Sequence, residues 1–247
     1  MKTIVVIGLA LAMSGVALAR DLPEFIHVCK KNEPNLSECI KSSIINMKPQ
    51  LKTGVPDYKI PSLEPLLLKE LTATAGGNLK LKITNAIIHG SSDFSLTKLK
   101  ASLETLTFTV DVDLPHLSIS GNYDINGRII LLHIRGNGPM QGNFTNCKAV
   151  VKLQMKEFKK EDGESYLKVA ELKTKILVVQ DGALRLQNLF DGDPVLGDAV
   201  NSAINSNFNG FVTEIKPAVE NAISKAFIDI ANGILQQFPY KMLFPES

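Results

Sequence analysis

Residues 196–235 read LGDAVNSAINSNFNGFVTEIKPAVENAISKAFIDIANGIL, and their spacing decides the fold. The large apolar positions are Leu196, Val200, Ile204, Phe208, Phe211, Ile215, Val219, Ile223, Ile230 and Ile234, with Ala199, Ala203, Ala222 and Ala226 beside them. Steps of three and four sustained over this length lay one apolar stripe along a helix of about 60 Å. Asn205, Asn207, Glu214, Lys216, Glu220, Lys225 and Asp229 make the remainder too polar to cross a bilayer. Pro217 has no N–H to give, so a kink is predicted there, and Gly210 and Gly233 weaken the helix further. Propensity does not hold so long a helix in water; an element of equal length must cover its stripe.

That cover lies upstream. From Gly77 to about Leu186 the apolar period changes to two. Leu106, Phe108, Val110, Val112 and Leu114 alternate with Thr105, Thr107, Thr109, Asp111 and Asp113, a strand with one dry and one wet face. Further strands are predicted over 78–88, 94–99, 116–121, 128–134, 143–158, 166–179 and 183–186. Hairpin turns are predicted at Asn126-Gly127, Asp162-Gly163 and Asp181-Gly182. A sheet dry on one face and a helix dry along one stripe assemble most simply with the sheet wrapped round the helix. The fold class is α+β, an antiparallel meander around one long C-terminal helix. Ahead of the sheet, 36–51 reads as a short amphipathic helix stopped near Pro49. Residues 54–66, with Pro56, Pro61 and Pro65, read as an extended segment.

The N-terminus carries Lys2, an apolar run over 4–13 and the small-residue ending Ala17-Leu18-Ala19, the pattern of a cleaved secretory signal peptide over 1–19. One secreted domain over 20–247 is expected, since no linker rich in Pro, Gly or Ser and no internal repeat divides the chain. A net charge of +2 without any Lys/Arg run argues against a nucleic-acid partner. Of the three cysteines, Cys29 and Cys39 lie close together in a polar segment and are read as a disulfide. Cys147 is left over. It shares the dry parity of Ala149, Val151, Leu153 and Met155, and reads as a buried, unreactive small hydrophobe. Asn35-Leu36-Ser37 and Asn143-Phe144-Thr145 are glycosylation sequons, and Asn35 with Glu38 also reads as a capping box.

Catalysis leaves no mark: G-x-S-x-G, H-E-x-x-H, phosphate-loop and dinucleotide motifs are all missing from the sequence. His27, His89, His116 and His133 are isolated. His133 has the parity of Ile129 and Leu131 and is read as pointing inward, a core or ligand-side histidine. Asp111 and Asp113 share a strand face but continue the Thr105–Thr109 wet side, so they read as solvated and not as a metal or acid–base pair. No catalytic residue, metal site or cofactor is predicted, and the spacing alone shows no cavity.

Several motifs in order resemble the insect haemolymph juvenile-hormone-binding and takeout proteins. They are Cys29 with Cys39; Gly54-Val55-Pro56 leading to Ile60-Pro61-Ser62-Leu63-Glu64-Pro65-Leu66; and Gly121-Asn122-Tyr123 with Gly127. Leu184-x-Leu186-x-Asn188-Leu189-Phe190-x-Gly192-Asp193-x-x-Leu196-Gly197 and the ending Phe238-Pro239-Tyr240-x-x-Leu243-Phe244-Pro245 complete the set. The resemblance spans essentially the whole chain beyond the leader. It implies a TULIP-like fold, a long C-terminal helix in a strongly curved antiparallel sheet that encloses a hydrophobic tunnel. It further implies a monomeric carrier of juvenile hormone, another terpenoid or a fatty-acyl ligand, secreted into haemolymph or another extracellular fluid without stable membrane insertion. Takeout members are linked to feeding, circadian rhythm and chemosensation. The hormone carriers proper have a second disulfide reaching the C-terminal region. No cysteine follows Cys147 here, so the chain looks like the takeout branch. The tunnel lining expected from this arrangement is Phe94, Phe108 and Val110 from the strands and Phe208, Phe211, Ile215 and Phe227 from the helix. Two other readings compete: a secreted signalling or interaction protein with a filled interior, and a lipid-ester hydrolase, which lacks its nucleophile motif.

Overall fold

The computed structural model describes residues 21–75, 79–129 and 132–246; the leader expected over 1–19 lies outside them. Two short helices, α1 (Leu36–Asn46) and α2 (Lys48–Thr53), precede six strands: β1 (Leu66–Ala75), β2 (Leu79–His89), β3 (Ser95–Ser102), β4 (Thr107–Ile129), β5 (Leu132–Lys159) and β6 (Ser165–Leu186). Helices α3 (Pro194–Ser206), α4 (Phe208–Leu235) and α5 (Tyr240–Leu243) close the chain. The sheet is antiparallel in the order β1-β2-β4-β5-β6, with β3 paired to the remaining length of β4. The meander predicted from the period-two pattern is therefore present, with fewer and longer strands.

The long strands swing their side chains from one face to the other partway along. In β4 the inward residues are Phe108, Val110, Val112 and Leu114, then Leu117, Ile119, Tyr123 and Ile125, with Pro115 and His116 both exposed between the two runs. Its neighbour β5 makes the same switch at Asn146, which takes a left-handed conformation (φ 49°). In β2 the switch coincides with a register shift at Asn85 (φ 52°). Such irregularities bend and twist a strand, and here they help a sheet with strands as long as 28 residues to coil instead of lying flat.

Two predicted turns are strand interior. Gly127 pairs with Ile134 inside the β4–β5 ladder, and Gly182 lies within β6 opposite Phe144. A Cβ on Gly182 would stand 2.6 Å from the Phe208 ring, so this glycine makes room for an aromatic and turns nothing. Asp162-Gly163 does form the β5–β6 turn, closed by the Gly163 N–H to the Lys160 carbonyl. No strand was foreseen over β1, whose Leu66-Leu67-Leu68 opening hides the alternation. Pro49 starts α2 where it was expected to stop a helix, and the break falls at Met47. Asn35 stands at the start of α1 without a side-chain cap bond, so the capping box does not form. Cys29 and Cys39 are bonded and tie the N-terminal segment to α1, whose Ser37 hydroxyl accepts from the Ala101 N–H of β3.

The C-terminal stripe also differs from expectation in one respect. The helix breaks at Asn207 (φ −124°, ψ 47°), ten residues before Pro217, and α4 runs on through the proline. Asn207 folds over Gly210, where a Cβ would come within 2.7 Å of its side chain. Val195 and Leu196, at the start of α3, are exposed (76% and 48%), so the stripe becomes dry only from Val200.

Helices α3 and α4 lie along β6, the last strand of the sheet, and bond to its free edge. Asn201 makes a paired contact with Leu186, its amide oxygen accepting from the backbone N–H and its amide nitrogen donating to the carbonyl, both at 2.8 Å. Asn205 does the same with Leu184 at 2.8 and 2.9 Å. Further along, the Ile176 N–H donates to Glu220 (2.7 Å), the Thr174 N–H to Ser224 (2.9 Å) and the Val169 N–H to Asn232 (2.8 Å). On its other flank α4 meets β1 through small side chains, Ala218 and Ala222 against Ala73. The helix thus bridges the two outer strands and closes the coil.

Removing one of these bonds leaves an edge group buried without a partner. Asn201→Ala is expected to lower stability by about 1–3 kcal/mol, whereas Ser202→Ala, on the exposed side of α3, should change it by under about 0.5 kcal/mol. Urea denaturation followed by circular dichroism separates the two; equal midpoints would show that the seam contributes nothing.

Candidate functional site

Because α4 is held on both flanks, the direction of each of its side chains is set. Ala218 and Ala222 point to β1, and Glu220 and Ser224 point to β6. At about 100° per residue, Ile215, Val219, Ile223, Ala226 and Ile230 then point between the two strands, into the coil. Across from them run the inward residues of β4 and β5, in register as Phe108 with Leu153, Val110 with Val151, Val112 with Ala149 and Leu114 with Cys147.

The two ends of this interior are filled. At one end Tyr123, Ile125, Ile134, Met140, Leu184 and Leu186 pack with Val200, Ile204 and Phe211, and Ile215 lies against them. There β5 approaches the chain beyond β6 so closely that a Cβ on Gly136 would sit 2.9 Å from the Leu189 Cα. The Tyr123 hydroxyl donates to the Gln187 carbonyl at 2.7 Å, and burial pushes its pKa up to about 12. At the other end Phe108, Met155, Leu167, Val169 and Leu172 pack with Phe227, Leu235, Tyr240 and Phe244. Phe238, almost fully buried, stacks on Tyr58 and helps complete this closure.

The middle is different. Val110, Val112 and Leu114 of β4, Cys147 and Ala149 of β5, and Val219 and Ile223 of α4 are all apolar and inward-directed, yet only half-buried. None joins the four buried clusters formed by the described residues. Elsewhere on the same strands and helix, side chains of the same kind are packed. A half-wetted apolar face inside a closed coil is chemically suited to an apolar molecule and to little else.

Of the expected lining residues, Val110 lies in this middle stretch and Ile215 borders it. Phe108 and Phe211 belong to the packed ends, and Phe227 joins one end to the cluster over β1 and β2. Phe208 packs against Phe144, ring centroids 6.1 Å apart, outside the middle stretch. Phe94 stands apart: it is buried beneath Lys48 of α2, whose ammonium lies 4.8 Å from its ring centroid. In this fold the aromatics fill space, whereas the half-buried stretch is largely aliphatic. Val112, Leu114, Val219 and Ile223 had the right periodicity, but nothing local distinguishes a covered valine from an uncovered one.

The remaining candidates are surface features. His133 is exposed, and Ile134, opposite Gly127 in the β4–β5 ladder, is the buried residue, so the inward parity taken from Ile129 does not carry over to His133. The His89 Nδ1–H donates to the Glu64 carboxylate at 2.7 Å, and Glu64, held by the Gly90 N–H and by His89, titrates below the usual carboxylate range. Asp113 pairs with Lys148 at 3.0 Å on the outer face. Asn35 and Asn143 are both exposed. Among the described residues no group of three or more metal-ligating side chains assembles, and no helix is long and apolar enough to cross a membrane. A cavity of about 260 Å³ opens at the C-terminal end of α4 between Lys59, Lys160, Asn232, Gly233, Gln236 and Gln237. The Lys160 ammonium there is already held by the Gln236 carbonyl and the Tyr166 ring.

With this geometry in view, relatives are informative. The chain is 25% identical over 236 residues to the circadian clock-controlled protein daywake of Drosophila yakuba, covering 92% of this chain and 89% of that protein. It is 24% identical to the Drosophila melanogaster daywake over 242 residues, covering 94% and 92%. A Schistocerca gregaria protein named for beta-carotene binding is 19% identical over 222 residues, covering 89% and 88%. Among solved structures, Takeout 1 of Epiphyas postvittana superposes with a TM-score of 0.72 at 21% identity, over 88% of this chain and 99% of that one, and so shares its fold. The profile of the haemolymph juvenile hormone binding protein (JHBP) family matches residues 4–245. The chain belongs to the haemolymph juvenile hormone binding protein family.

Proposed function

We propose that this protein is a secreted carrier that holds one elongated lipophilic molecule between α4 and the inner faces of β4 and β5. The observation that carries the reading is the contrast between packed ends and a half-buried aliphatic middle. A ligand lying along Val110, Val112, Leu114, Val219 and Ile223 would supply the packing partners those walls lack. Family membership supports a lipophilic cargo, and the name of the Schistocerca relative supports a long, apolar, terpenoid-like one. Fatty-acyl chains fit the same chemistry. An unpaired Cys147 supports the takeout branch over hormone carriers with a second bridge. The leader pattern over 1–19, the Cys29–Cys39 bond and the exposed sequon asparagines support secretion of one mature domain from Arg20. The daywake relatives support a physiological setting tied to daily rhythm.

Two measurements test this reading. Val110→Trp fills the middle stretch from the β4 side and should weaken binding of a fluorescent fatty-acyl probe to delipidated protein by about tenfold or more, with the fold retained. If delipidated wild-type protein takes up no such probe at micromolar concentration, the carrier reading fails and an interaction protein with a filled interior replaces it. Cys147 is a built-in reporter. Burial raises its thiol pKa, so at neutral pH even less of it is thiolate than for a free cysteine. Alkylation should be slow at pH 7, accelerate as pH rises toward the elevated pKa, and slow again when the probe is bound. An alkylation rate indifferent to the probe would place the ligand elsewhere.

A further inference from the structure

The outer face of the sheet carries a feature that neither the fold nor a ligand inside it requires. Across the β5–β6 ladder, Lys152 stands directly opposite Lys173, and Lys156 opposite Lys168. Like charges opposed on neighbouring strands repel and destabilise a sheet. Lys148 and Lys175 extend the row along the same two strands. Lys98 and Lys100 continue it across β4 onto β3. All eight lysines are exposed, and among the described residues the carboxylates on these strands that face them are Asp111, Asp113 and Glu171, on a chain whose net charge is +2. Glu171 pairs with Lys173 and Asp113 with Lys148. Lys98, Lys100, Lys152, Lys156 and Lys175 have no carboxylate within 4.0 Å among the described residues. At the border of the row, where a register shift interrupts the ladder, Leu177 and Val178 are exposed at 52% and 41%.

The geometry points to this face as a docking surface for a lipid bilayer bearing anionic headgroups. The charge sign fixes an anionic partner, whose proximity would relieve the repulsion within the lysine pairs. The cations are all lysines. Arginine is the residue of planar, bidentate recognition, whereas lysines are mobile point charges suited to a diffuse layer of phosphates and carboxylates. Leu177 and Val178 add an apolar edge of the kind that enters the headgroup boundary. The sequence showed no basic cluster because these lysines are spread over 98–175, and only strand pairing brings them together. The inference stands on the outer face alone and is independent of what the interior holds.

Vesicle flotation tests it on the whole protein with no added cargo. Wild type should float with phosphatidylcholine vesicles containing about 30 mol% phosphatidylserine, stay behind with phosphatidylcholine alone, and be released by roughly 0.5 M salt. Lys152→Glu with Lys156→Glu converts both opposed pairs into attracting ones. It should reduce vesicle binding by about tenfold or more while leaving the melting temperature equal or higher. The neutral pair Lys152→Gln with Lys156→Gln should show a smaller loss of binding, and Lys225→Glu, exposed on α4, should float as wild type does. Flotation with uncharged vesicles, flotation unchanged in the double glutamate variant, or retention on heparin without any vesicle binding would each overturn the bilayer assignment.

Discussion

The free edge of β6 is the constraint on which the rest of the structure depends. The outermost strand of an open sheet presents a row of unpaired N–H and C=O groups, and burying that row without partners is costly. Here the partners come from side chains of a helix. Alternate strand residues expose their groups to the same side, so bonding sites recur at about 6.6 Å. Four helical residues advance about 6.0 Å. The near match lets Asn201 and Asn205 serve Leu186 and Leu184, and lets Glu220 and Ser224 serve Ile176 and Thr174, with Asn232 at Val169 further on.

Anchoring a helix by polar bonds on one flank and by alanines on the other has a consequence for the interior. The helix is held at the rim of the coil, against β6 and β1 far more than against β4. Large side chains reach across at the two ends, where Phe211 meets Tyr123 and Ile125, and Phe227 meets Phe108 and Met155. Between the ends the sheet presents Val110, Val112, Leu114, Cys147 and Ala149, side chains smaller than the aromatics that fill the two ends. The half-buried middle therefore coincides with a change in side-chain size along otherwise uniform elements, and its residues are apolar and uncharged.

The same strands specialise their other face by the period of two. Val151 points inward and Lys152 outward on β5; Thr174 points inward and Lys173 outward on β6. Each face can then change composition without disturbing the other. That separation explains how repelling lysine pairs persist on the outside of a sheet whose inner face is held by packing and by the helix seam.

Sequence periodicity by itself determined the long C-terminal stripe, the alternation over 106–114 and the turn at Asp162-Gly163. Motif order pointed to the family whose profile matches the chain and to the fold it shares with Takeout 1. These properties are local, or are written in the order of short motifs, and each reports which face of an element is dry. What lies across from that face is decided by register and distance, which no window of sequence contains. Asn201 and Asn205 look like ordinary solvated residues until β6 is laid beside them. Gly127 and Gly182 look like turn formers until their strands continue through them and Phe208 occupies the space over Gly182. His133 is exposed although its parity with Ile129 predicted it inward, and Phe94 falls beneath Lys48 instead of facing the helix. The half-buried stretch that holds Val110 and Ile223 was decided by tertiary structure alone, because how far a side chain is covered depends on what lies across from it, and a residue's identity carries no record of that.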